Sequence, residues 1–247
     1  MDRLIYTAMT GAKHILSQQA TVAHNLANIS TSGFRAQVDA FRAVPVIGEG
    51  LPTRAFVVDA TVAADFTPGV IQTTGRDLDI AINGKGWIAV QGPDGKEAYT
   101  RNGSFAINAN GVLQTRTGQN VLSDGGAISV PPDTQLTIGK DGTISTVPTS
   151  GQKTQISEVA RIKIVNPPEK NLVRGDDGLF HLKDGATADV DESVVLHNGA
   201  LESSNVNPAE ALVNMITLSR HFDLQMKLLQ NAEQNAAKAS QVMVVTG

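Results

Sequence analysis

In the last forty-odd positions of the chain, apolar and small residues recur at alternating steps of three and four. From Leu212 the line runs through Met215, Ser219, Phe222, Met226 and Leu229, and it returns at Ala236 after Glu233. That spacing lines one side of a helix with a seam of the coiled-coil kind. The preceding SSNVNPAE supplies a start. Asn207 can cap the first turn, and Pro208 suits the first helical position because its φ is preset and it has no N–H to orphan. Glu210 stands three residues after the cap, as in a capping box. A helix over 208–245 would be roughly 57 Å long, more than one small domain can cover. Alanines at 232, 236, 237 and 239 would let a neighbouring helix approach closely.

The other end of the chain has the same rhythm. Ile5, Ala8, Ala12, Ile15, Val22 and Leu26 keep 3,4 spacing, interrupted only by Gln19. Between Leu4 and Asn28 the only formally charged side chain is Lys13, which predicts a helix enclosed on several sides. It should stop near Asn28, where Ser-Thr-Ser and Gly33 bring turn chemistry. Asn28 and Gly33 would shape the exit, and Phe34 would anchor the segment beyond it.

Between the helices the period changes. Residues 34–75 are rich in Pro and Gly and read as an extended connector of short pieces. From Leu78 apolar residues alternate with others, and turn signals recur about every ten residues, at Asn83-Gly84, Asp94-Gly95, Asn110-Gly111, Asp124-Gly125-Gly126 and Asp141-Gly142. Strands are expected at 161–165, 179–183 and 193–197, in a sandwich or barrel-like arrangement. The fold class is therefore α+β: a discontinuous, coiled-coil domain of long terminal helices (1–33 and 203–247), the connector (34–75), and an inserted antiparallel β-rich domain (76–202). A β domain of that size should be only about 35 Å across. The longer helix overhangs it, and an apolar seam left in water costs about 25 cal/mol per Å². Neighbouring copies are the simplest cover, and a repeating contact that does not close makes a filament.

Composition narrows the chemistry. Of 247 residues 41% are hydrophobic but only 4% aromatic, with one tryptophan, so any core is mainly aliphatic. With 20 basic and 24 acidic residues and no basic block, nucleic acid is not an expected partner. Cysteine is absent, which removes disulfides, thiolate metal sites and cysteine nucleophiles. No apolar run is long enough to insert in a membrane, and the first thirty residues lack the apolar core of a cleaved secretory signal. The five histidines have no metal-ligand spacing, the acidic run at 189–192 lacks the glycine of a calcium loop, and GKG at 84–86 lacks the spacing of a phosphate loop. Arg174-Gly175-Asp176 reads as a polar turn, and no G-x-S-x-G elbow occurs. No catalytic residue, metal or cofactor is expected.

NLANISTSGFRA at 25–36 and SSNVNPAEALVNMI at 203–216 resemble the paired terminal signatures of flagellar basal-body rod and hook proteins, and GRDLDIAINGKGWIAV with YTRNGSFAINANGVLQT resembles their β-rich domain. The likeness covers nearly the whole chain. Asn25, Leu26, Ala27, Asn28, Thr31, Gly33 and Phe34 match the first signature; Ser204, Asn205, Val206, Asn207, Met215 and Ile216 match the second. The opening MDRLIYTAM and FRAQVDAFRAVPV look most like a proximal-rod subunit, with a distal-rod subunit as the competitor. The resemblance implies a structural subunit of the periplasmic rod that carries torque from motor to hook. Its implied partners are copies of itself, other rod subunits and the flagellar type III export apparatus, which passes the chain without cleavage. The expected assembly interface comprises the two helical seams with Asn28, Gly33, Phe34, Asn205, Asn207 and Ile216. The rival class is a secreted β-rich binding module on an oligomeric helical stalk.

Overall fold

The computed structural model describes residues 2–45, 55–148 and 157–245. Residues 46–54 of the expected connector and 149–156 of the β region lie outside the described residues. The chain is α+β and divides into two compact units. A helix unit contains Met1–Ala27, Gln37–Ala63 and Asn207–Gly247; a strand unit contains Asn28–Ala36 and Ala64–Val206.

In the helix unit, α1 spans Asp2–Ala27 and α2 spans Pro208–Val245. The cap forms as its chemistry requires: Asn207 Oδ1 accepts from the N–H groups of Ala209 and Glu210, and the Asn207 carbonyl accepts from Ala211. Of the described part of 34–75, Gln37–Pro45 and Ala55–Ala64 are strands paired as a two-stranded ribbon, and Ile71–Thr73 is a third that pairs with Ala200–Glu202 in the strand unit. The first packs on α1: His14 meets Phe41 edge-on at 5.6 Å, Thr21 Oγ1 donates to Asp39 at 2.8 Å, and the Asn25 carboxamide exchanges two 2.8 Å hydrogen bonds with the backbone of Gln37. This ribbon accounts for part of the low charge of α1.

The strand unit is a set of short antiparallel sheets rather than a two-sheet sandwich. A five-stranded sheet has Trp87–Gln91 and Glu97–Thr100 at its centre; the rest form a three-stranded sheet over 134–161 and two-stranded ribbons. The run Trp87-Ile88-Ala89-Val90 is buried throughout because this sheet has a core on each face. Ile88 and Val90, with Ala98 and Ile164, enter a large aliphatic cluster that includes Ile80, Phe105, Leu113, Ile144 and Leu196. Trp87 and Ala89, with Tyr99 and Val165, enter a smaller aromatic one that includes Phe180. Side chains alternate across a strand, so a strand covered on both faces shows no polar positions. The expected turns are present, with left-handed glycines at 84, 95, 111, 126 and 142.

Candidate functional site

The helix seams come first. On α1 the expected line is the inward one: Ala8, Ala12 and Ile15 are buried, and Ile5, Val22 and Leu26 are half-buried. α1 packs along α2, with Gly11 against the Gln225 side chain. Just past α1 and just before α2 the backbone is tied together, Gly33 N–H to the Glu202 carbonyl and Asn205 N–H to the Phe34 carbonyl. Gly11 and Gln225 each lie about five turns from that point, so the helices run antiparallel.

On α2 the inward line is Ala211, Met215, Leu218, Phe222, Gln225, Leu229 and Ala232. It shares Met215, Phe222 and Leu229 with the line expected from sequence and steps back one residue at every other position. Leu212, Ser219 and Met226 are exposed instead, as are Ile216, Ala236 and Ala237. The reason is geometric: a helix apolar over a broad stripe carries two interleaved 3,4 lines, and spacing alone does not say which one the chain covers itself. What remains outside is substantial. Leu212 (49%), Ile216 (56%) and Leu224 (58%) are open to solvent on α2, with Tyr6, Met9 and Leu16 on α1. Fully burying one such side chain is worth roughly 1.5–3 kcal/mol.

The second arrangement lies inside the strand unit, where residues 28–36, 64–69 and 202–206 meet. Asn28 is half-buried and its Oδ1 accepts from Thr31. Gly33 has φ +69°, and a Cβ there would stand 2.3 Å from the Arg101 backbone, so only glycine fits. Phe34 is buried under the Arg174 guanidinium at 4.5 Å. Arg174 also donates to the Arg35 carbonyl at 3.1 Å, so the arginine of Arg174-Gly175-Asp176 is engaged in holding this segment. Asn205 joins three stretches: its Oδ1 accepts from Ala36 N–H at 2.7 Å and its Nδ2 donates to the carbonyls of Asp65 and Thr67 at 3.0 and 3.1 Å.

Behind these lies a buried ionic cluster that the pattern of residues did not single out. Arg35 Nη1 is 2.7 Å from Glu202 Oε1, and Arg101 Nη1 is 3.6 Å from Glu202 Oε2. The side chains of Arg35 and Glu202 are 0% and 2% exposed. Burial pushes the Arg101 guanidinium down to about 10, Glu202 pulls it back up, and Arg35 adds to the lowering. The signal in the sequence was faint: Arg35 and Arg101 are lone charges inside two of the stretches that carry the family likeness, and Glu202 stands just before the third.

A cavity of about 470 Å³ beside Trp87 and Arg101 is lined by Phe66, Pro68 and Pro167 together with Asp65, Lys85 and Glu169. Among the described residues there is no group of three or more His, Cys, Asp or Glu placed to hold a metal, and no helix is long and apolar enough to cross a membrane.

Comparison with known proteins agrees with this division into terminal helices and strand core. Residues 5–35 match the family described as flagella basal body rod protein, residues 81–146 the flagellar hook protein FlgE/F/G D1 domain, and residues 197–242 the flagellar basal body rod FlgEFG protein C-terminal family. Arg35, Arg101 and Glu202 fall one in each. The flagellar basal-body rod protein FlgF of Salmonella typhimurium (strain LT2) is 44% identical over 98% of this chain and 99% of its own. FlgF of Caulobacter vibrioides is 32% identical over 97% of each. The rod protein FlgG of Buchnera aphidicola subsp. Schizaphis graminum is 29% identical over 96% of this chain and 98% of its own. With helical ends, a strand core and full-length likeness all in agreement, this chain belongs to the flagellar basal-body rod proteins, among their FlgF-like members.

Proposed function

We propose that this chain is a structural subunit of the proximal rod of the flagellar basal body, and that it polymerises through its terminal helices into the shaft that carries torque from motor to hook. The observation that carries the reading is the apolar face left open on the helices, with Leu212, Ile216 and Leu224 on α2 and Tyr6, Met9 and Leu16 on α1. Exposed apolar stripes of this kind mark interaction surfaces. Copies of this chain and other rod subunits would cover them, completing a coiled-coil core into whose sequence the strand domain is inserted. The inward seam residues from Ile5 to Leu26, with Met215, Phe222 and Leu229, would hold the hairpin to which neighbours add. Asn28, Gly33, Phe34, Asn205 and Asn207 would set where the helices begin and end, and so the register of that interface. The role is mechanical, with no catalytic step. The rod reading also carries a periplasmic location and passage of the chain, uncleaved, through the flagellar type III export apparatus. The 44% identity to FlgF of Salmonella typhimurium, against 29% to FlgG of Buchnera aphidicola subsp. Schizaphis graminum, favours the proximal over the distal position.

Leu212→Asp tests the reading. The purified variant should keep the fluorescence and protease resistance of the strand unit, while cells carrying it should be non-motile, with no complete rods in basal bodies seen by electron microscopy. Normal rods built from the variant would refute assembly through α2.

A further inference from the structure

Arg35, Arg101 and Glu202 come from the first, middle and last parts of the strand unit and meet in its interior with unequal charge. Two guanidinium groups face one carboxylate, and all three are buried: Arg35, Arg101 and Glu202 are 1%, 5% and 2% exposed. The other buried carboxylate among the described residues, Asp79, is taken by Arg76 at 2.5 Å and by Thr74 at 2.8 Å. Hydrogen bonding does not make up the difference. Arg101 donates one bond, to the Gly84 carbonyl, but its Nε and Nη1, all three nitrogens of Arg35, and Glu202 Oε2 have no well-aligned partner among the described residues. Such a cluster is costly to bury, and it tolerates the loss of its single acid worst of all.

Glu202 also reaches further than the arginines. Its carbonyl accepts from Gly33 at 2.7 Å and its Oε1 from Gly69 at 2.8 Å, so one residue contacts segments at 33–35, 69 and 101. Without it, two desolvated cations would stand together with no counter-charge. We propose that Glu202 is a charge latch: the strand unit cannot close around Arg35 and Arg101 until this residue, more than a hundred positions after Arg35, arrives to neutralise them. Closure is thereby conditional on the end of the strand unit being present, and the residues that leave α1 and those that lead into α2 are fixed in one event. The latch concerns the folding of a single chain and stands whether or not the helices assemble.

The test uses the full chain and the emission of Trp87, the chain's only tryptophan, whose ring centre lies 5.6 Å from the Arg101 guanidinium carbon. Glu202→Leu should lower the Tm of the strand unit by about 10 °C or leave it open and protease-sensitive. Arg35→Met with Arg101→Met in that same background should recover at least half of the loss, because an apolar trio has no charge to neutralise. The same two arginine substitutions in a chain that keeps Glu202 should lower the Tm. That reversal of sign is the mark of a charge latch; a purely steric role for Glu202 would not produce it. A Glu202→Leu variant within about 2 °C of the parent, or a triple variant no more stable than Glu202→Leu alone, would overturn the proposal.

Discussion

At Asn205 a single carboxamide does what a strand edge does with several residues, offering an acceptor to Ala36 and donors to Asp65 and Thr67. Asn205→Asp keeps the shape and turns the donor into a second acceptor facing two carbonyls. The expected loss is about 3 kcal/mol, read as a Tm fall of about 10 °C at neutral pH. The loss should shrink near pH 4, where an ordinary Asp gains a proton and with it a donor; an unchanged gap there would show that charge and hydrogen bonding are not the cause. Gly33 was legible in the sequence because it stands in a turn-forming stretch, and Asn205 only through the family likeness of 203–216. Arg35 and Glu202 were not, since a lone charge in a polar stretch gives no sign of burial until distant segments are brought to it.

At the scale of the element, both helices were readable to within a residue or two from spacing and caps, and the choice of face was not. Met215, Phe222 and Leu229 belong to both 3,4 lines of α2, whereas Ala211 and Leu212 compete for one position and the smaller residue wins the inward place. Two substitutions separate the faces. Phe222→Ala, on the shared line, should lower helix stability by about 1–3 kcal/mol, visible as an earlier loss of helical circular dichroism. Leu224→Lys should change the isolated protein by no more than about 0.5 kcal/mol and yet abolish motility. If Leu224→Lys unfolded the helix instead, α2 would have to pack with Leu224 on its inward side. The short strands were harder to place than the helices. Many are only two to four residues long, and their partners are set by the turns and by which face each buried side chain enters, neither of which periodicity records.

For the whole molecule, apolar burial is uneven. Both extended core clusters lie in the strand unit, while the helix unit relies on alanines, half-buried seam residues and an edge-on His14–Phe41 contact. Heating the purified chain should therefore give two transitions, with the helical signal lost before Trp87 fluorescence changes. Raising protein concentration or adding neighbouring subunits should move only the first. Coincident transitions at all concentrations would mean that the helices need no outside support. The α+β plan was legible because the period of the sequence changes twice. That residues 37–63 group with the helices was not, since extended segments rich in Pro and Gly look alike wherever they pack.

The chain passes between its two units four times, at 27/28, 36/37, 63/64 and 206/207. Neither unit is a continuous stretch of gene, so a single recombination breakpoint cannot transplant one without splitting the other. A graft that moved only residues 64–206 would leave Arg35 behind with this chain's own helices, and would succeed only where the recipient supplied an arginine in its place. Variation by exchange should therefore favour loops within the strand unit, and chimaeras of rod proteins should function when their junctions respect all four passages.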